Sequence, residues 1–119
     1  MLFRSRSDEY LGITAEHYAR AGEPALAADW FLRASLKASG RFAFKASLQY
    51  IDRAEAQAAL DTEPTPPELQ HRLLRQRALV SDNLALRDQQ AQAIDRLLAL
   101  GEAHGTLAWT AEEIGRAHV

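Results

Sequence analysis

Four histidines, His17, His71, His104 and His118, are the side chains best placed by type to move protons or hold a metal near neutral pH. Their spacing gives neither a His-x3-His pair nor a His-Glu-x2-His phrase, and there is no cysteine, so zinc ligation has no local motif. The six glycines form no Gly-x-Gly-x-x-Gly run and no phosphate loop with a lysine. No serine sits in a Gly-x-Ser-x-Gly turn, which leaves a serine nucleophile without its usual setting. Glu16, Asp29 and Asp52 are scattered as solvated helix faces scatter them, not paired as a general acid and base must be. His71, Arg72, Arg75 and Arg77, with Arg87 beyond, are the one basic cluster. Arg72 and Arg75 share a helix face and Arg77 does not, so the cluster reads as a solvated face balanced by Glu68 and Asp82, with an anion or acidic-partner patch as the other reading. The expectation is a chain with no catalytic residues, no metal and no cofactor.

Bulk properties agree. In 119 residues, 47% are hydrophobic, a globular composition with room for one modest core. The net charge of −2 offers no general field for nucleic acid. No apolar run approaches the roughly 20 residues of a membrane span, and no signal peptide is visible, so a cytoplasmic setting is expected.

The ends read differently from the body. Leu2-Phe3-Arg4-Ser5 and Ile114-Gly115-Arg116-Ala117-His118-Val119 resemble in-frame translations of the two ends of a common sequencing adapter. Residues 1–5 and 114–119 are therefore expected to be tails, with the fold in residues 6–113. Setting aside Arg4 and Arg116 takes the 14 basic residues to 12 against 16 acidic ones, a net charge of −4.

The body is patterned for helices. Leu11, Ala15, Tyr18 and Ala21 recur at helical spacing and predict a helix over about 8–21, closed by Gly22. Pro24 suits a first turn, and Ala27, Trp30, Phe31, Ala34 and Ala38 stripe a second helix that ends at Gly40. Phe44, Leu48, Ile51 and Ala58 stripe a third, to about Leu60. Three prolines make 61–67 the one clear loop. Pro67 or Glu68 opens a fourth helix with Leu69, Leu73, Leu74, Val80 and Leu84; Arg87 or Asp88 opens a fifth with Ala91, Ile94, Leu97, Leu98 and Gly101. Gly105 ends it, and 107–113 looks like a sixth helix cut short. The aromatics Trp30, Phe31, Phe42, Phe44 and Tyr50 fall on buried-type positions and are read as packing. Nothing reads as a strand. Short links place consecutive helices antiparallel and adjacent, in either a closed bundle or an open solenoid.

The stretch 15–34 decides between them. Ala15, Tyr18, Gly22, Ala27, Phe31 and Ala34 fill, in order, the small, aromatic, turn-glycine, small, aromatic and small places of a tetratricopeptide repeat, which this segment resembles. The resemblance thins downstream: Ser47 stands for an expected alanine, and Asn83-Leu84-Ala85-Leu86 replaces the turn glycine. The resemblance implies an all-α fold of antiparallel helix pairs stacked as a tetratricopeptide-like α-solenoid over about 8–105. More loosely, 15–22, 73–80 and 89–94 resemble the repeat region of large bacterial signal-transduction ATPases and transcriptional regulators. That implies a protein-interaction or relay scaffold, part of a multidomain chain in which an ATPase precedes residue 6 and further repeats follow 113. A stand-alone peptide-binding adaptor, or an enzyme with an unrecognised site, are the other readings. The expected partners are a protein, a peptide or adjacent domains of the same chain, with no direct nucleic-acid or membrane contact. Glu16, His17 and Arg20, on the first helix of the best-matched unit, are the candidate partner groove.

Overall fold

The computed structural model describes residues 7–104, and among these every regular element is an α-helix. In chain order they are α1 (Ser7–Arg20), α2 (Pro24–Gly40), α3 (Phe44–Leu60), α4 (Pro67–Asn83) and α5 (Arg87–His104). The helical periods read from the sequence locate all five within a residue or so at each end. The tails and the expected sixth helix lie outside the described residues. The chain divides into two compact units, one up to Thr65 carrying α1–α3 and one from Pro66 carrying α4 and α5.

The links between successive helices explain their antiparallel pairing. In α1–α2, the N–H of Gly22 bonds to the carbonyl of Ala19 and that of Glu23 to Tyr18. In α2–α3, Phe42 bonds to Ser39 and Ala43 to Ala38; in α4–α5, Ala85 bonds to Asp82 and Leu86 to Ser81. Each is the double hydrogen bond of a Schellman cap, which satisfies carbonyls the helix end leaves open. The carbonyl of the last turn residue then accepts the first bond of the next helix, from Ala27, Ser47 and Gln90 respectively. Three turns in one chain thus share one backbone. The motif requires a left-handed residue, found at Gly22 (φ 75°), Phe42 (φ 64°) and Ala85 (φ 58°). The glycine signal therefore locates only the first turn. Gly40, expected as the stop of α2, is its last helical residue, and the left-handed position falls two residues later on Phe42.

α3 ends differently. Asp61 leaves the helix in extended conformation, and its carboxylate accepts the N–H of Glu63. The prolines that follow carry the chain to Pro67, which opens α4 at a position where a missing N–H costs nothing.

In the first unit α2 packs against both α1 and α3. Its buried face is Ala27, Ala28, Phe31, Leu32, Ala34, Ser35 and Ala38; the neighbours bury Ala15 of α1 and Ser47, Ile51 and Ala54 of α3, while Gly12 of α1 faces Tyr50 of α3. Small residues let the helices approach, and Phe31, Leu32 and Ile51 fill the space that remains. Ser35 and Ser47, both fully buried, interlock: each hydroxyl lies within 2.9 Å of the other residue's carbonyl, and the two hydroxyls are 2.8 Å apart. Trp30 is half-buried and stacks on Tyr18 of α1, centroids 6.3 Å apart. Phe42 departs from its expected burial. The left-handed backbone turns its ring outward, and it is 81% exposed.

In the second unit α4 buries His71, Leu73, Gln76, Val80 and Ser81, and α5 buries Gln90, Ala93, Leu97, Leu100 and Gly101. Ala91, expected in the stripe, is exposed. In Gln90-Ala91-Gln92-Ala93 an alanine fits either face, and the face is set by Gln90, whose amide bonds to Asp82 and to Arg87.

Two outcomes test these contacts. Ala85→Gly relieves a left-handed alanine, about 1–2 kcal/mol, against a glycine entropy cost of roughly 0.5–1 kcal/mol. Urea unfolding should show a net gain of about 0.5–1 kcal/mol, whereas Gly22→Ala should lose a comparable amount. Ser35→Ala and Ser47→Ala should each cost about 1 kcal/mol, because each removes a buried hydrogen bond to the other residue's carbonyl and the contact between the two hydroxyls. The double variant should cost clearly less than their sum, which a double-mutant cycle measures directly.

Candidate functional site

The expected groove residues lie on the last turns of α1, and the structure separates them. Glu16 and Arg20 are one turn apart on one face, and His17 lies beside them. His17 and Arg20 are exposed. Glu16 is half-buried and forms an ion pair with Arg53 of α3. The Arg53 guanidinium also lies over the ring of Phe31, 4.4 Å from its centroid. Arg53 therefore joins all three helices, and the carboxylate of Glu16 is committed to holding α3 beside α1. His17 and Arg20 are the members of the set available to a partner. The same outward side of α1 carries Tyr10 and Ile13, 57% and 55% exposed, one turn apart in line with His17.

A second constellation fixes the other end of α1. Asp8, in its first turn, is only 1% exposed. Its carboxylate accepts two hydrogen bonds from the Arg41 guanidinium, Nε to Oδ1 at 2.9 Å and Nη2 to Oδ2 at 3.0 Å. This is the bidentate geometry that makes arginine–carboxylate pairs strong. The Tyr50 side chain of α3 lies beside it and also favours the charged carboxylate. Paired with Arg41, Asp8 is held below the usual carboxylate range, although burial pulls it the other way. Tyr50 is pushed up, first by burial and then by the negative charges of Asp8 and Glu9. Gly12, one turn on from Asp8, is what admits the Tyr50 ring: a β-carbon there would sit 2.8 Å from Cε1. Asp8 and Arg41 lie 33 residues apart, and no spacing rule in the sequence joins them.

The basic cluster of the second unit does not converge. His71 is buried, 8% exposed, and is withdrawn from any surface patch. Arg77 donates to the side-chain oxygen of Gln89, and Arg87 pairs with Asp82 at 2.8 Å. Asp82 thus balances Arg87, as a solvated face requires. Asp29 pairs with Arg33 one turn away, and Arg33 lies 4.5 Å from the centroid of Trp30. Among the described residues no group of three or more His, Asp or Glu side chains is placed to hold a metal ion, and no helix is long and apolar enough to cross a membrane.

No family model, curated protein or solved structure matches the chain. On α1, Tyr10, Ile13, His17 and Arg20 form an exposed apolar and cationic strip, and two ion pairs secure the helix.

The Asp8 clamp has a pH signature. A carboxylate whose folded-state pKa is depressed adds stability above its unfolded value, about 3.9, and that stability is lost as pH falls through the folded value. Asp8→Asn should destabilise the protein at pH 6–7, and the gap to the parent should close below about pH 4, as read from urea midpoints. Gly12→Ala should also destabilise, although alanine is favoured in a helix by about 1 kcal/mol, because the new methyl displaces Tyr50 from Asp8. A stabilising Gly12→Ala would show that Tyr50 is not held there.

Proposed function

We propose that the chain is an interaction or relay scaffold, part of a tetratricopeptide-like α-solenoid. It holds a protein or peptide, or a neighbouring domain of its own chain, against the α1 strip that includes His17 and Arg20. The observation that supports this best is recurrence. Three turns between successive helices carry the same two hydrogen bonds and the same left-handed residue, two of them without glycine. A helix–turn–helix unit that recurs in one chain is the building block of a solenoid, and the first helices of its pairs line the surface where partners dock. The packing of α1 and α3 on α2, with Glu16 and Arg53 joining them, supports the same reading.

The sequence resemblance supplies a setting for that scaffold: the repeat region of a large bacterial signal-transduction ATPase or transcriptional regulator. In such a chain the array passes an effector's arrival to an ATPase or an output domain. This role needs paired states of a packed array and no reacting group in the array itself.

Peptide display against the full chain, followed by fluorescence anisotropy with the selected peptides, tests the reading. A His17→Ala, Arg20→Ala double variant should weaken them at least tenfold. It should leave the melting temperature within about 2 °C, because exposed substitutions change stability by no more than about 0.5 kcal/mol. Selected peptides indifferent to both substitutions would remove the α1 strip as the docking surface.

A further inference from the structure

Phe42 combines two costs that a side chain serving only the fold avoids. It is the most exposed of the large apolar residues described, at 81%, and its backbone is left-handed at φ 64°. Gly22 and Ala85 occupy the equivalent place in the other two turns, with no side chain or a single methyl. A phenylalanine there gains no burial. Its ring contact is edge-on to Phe44, centroids 6.2 Å apart, and Phe44 is itself only half-buried. A strained, exposed aromatic points to a contact made outside the chain.

The stretch of sequence around it is one-sided in charge. Between Asp29 and Asp52 the sequence has no acidic residue and four cations, Arg33, Lys37, Arg41 and Lys45. Arg33 is taken by Asp29 and Arg41 by Asp8, with Glu9 adding a second negative charge near Arg41. Lys37 and Lys45 are exposed and form no ion pair among the described residues. Lys37 is one turn before Arg41, whose N–H bonds to its carbonyl, and Lys45 lies in the first turn of α3. An exposed lysine thus stands on each side of Phe42 along the chain, five residues before it and three after.

We propose that the α2–α3 turn is a docking knob for a protein partner, an acidic segment bearing an apolar side chain. The apolar side chain covers Phe42, and the carboxylates on either side meet Lys37 and Lys45. An aromatic anchor with a charged rim is the anatomy of a protein interface. Two lysines are too few to hold a nucleic acid or an anionic bilayer against a chain of net charge −2. The knob lies at the Asp8 end of α1, whereas Glu16, His17 and Arg20 lie towards the other end, so it is independent of the α1 strip.

The test uses the full chain and a short fluorescein-labelled peptide in which glutamates alternate with leucines. Binding should weaken at least tenfold in Phe42→Gly, while the melting temperature of that variant stays level or rises. Lys37→Glu with Lys45→Glu should weaken binding similarly and flatten its salt dependence, and Arg20→Ala should leave it unchanged. Equal binding by Phe42→Gly, or by a peptide with glutamine for glutamate, overturns the proposal. So does a loss on Arg20→Ala, which assigns the peptide to the α1 strip, or a lower melting temperature for Phe42→Gly, which assigns the ring to the fold. Tighter binding of phosphatidylserine vesicles or a single-stranded oligonucleotide than of the peptide overturns it in favour of a polyanion. A dimer in sedimentation that Phe42→Gly dissociates overturns it in favour of a second copy of the chain.

Discussion

The close approach of α2 to its two neighbours is the constraint on which the first unit depends. It is available because the buried residues are small: Ala27, Ala28, Ala34, Ser35 and Ala38 on α2, Ala15 on α1, Ser47 and Ala54 on α3. Closely packed helices leave little free volume, and Phe31, Leu32 and Ile51 occupy what remains. The polar contacts follow from that spacing. The paired hydroxyls of Ser35 and Ser47 reach each other's carbonyls only when α2 and α3 are nearly in backbone contact. Arg53 can pair with Glu16 while lying over Phe31 only if α1 and α3 sit side by side on α2. A methylene inserted between α2 and α3 would separate several such pairs at once.

Asp8 shows how charge is placed within this packing. Burying a carboxylate is costly, and an ion pair offsets the cost only when the geometry is good and the remaining lone pairs are used. Here both oxygens accept from Arg41, and Tyr50 lies beside them. The arginine comes from the α2–α3 turn and the tyrosine from α3, so the cluster ties the start of α1 to the element two steps along the chain. An apolar contact of the same area would tolerate sliding. The fork of a guanidinium on a carboxylate does not, and it fixes the register of α1.

The helices were legible because their signals are local. Apolar residues at helical spacing, Pro24 and Pro67 at first turns and the proline-rich link mark the five elements, and Ala15, Ala27, Phe31 and Ala34 of the apolar stripes are buried. Signals failed where a choice depended on tertiary structure. Alanine is compatible with either face, so Ala91 and Ala93 could not be told apart until Gln90 had partners in Asp82 and Arg87. The turns at Phe42 and Ala85 carry no glycine, and their left-handed residues are set by hydrogen bonds across the turn. Of the candidate groove, only the exposure of its residues can be compared with the structure. His17 and Arg20 are exposed as a docking residue must be, but Glu16 is bound to Arg53, 37 residues on, and the Asp8–Arg41–Tyr50 cluster spans a separation that periodicity does not encode.

The three turns also bear on how such a chain can change over time. Their shape is written in backbone donors and acceptors, and the side chain at the left-handed position is a glycine in one, an alanine in another and a phenylalanine in the third. A substitution at that position shifts stability by about 1–2 kcal/mol without altering the direction in which the next helix sets off. Mutational drift can therefore change the letter at such a corner while the turn itself survives. Kinship among such chains persists longer in the bonding of their corners than in their letters.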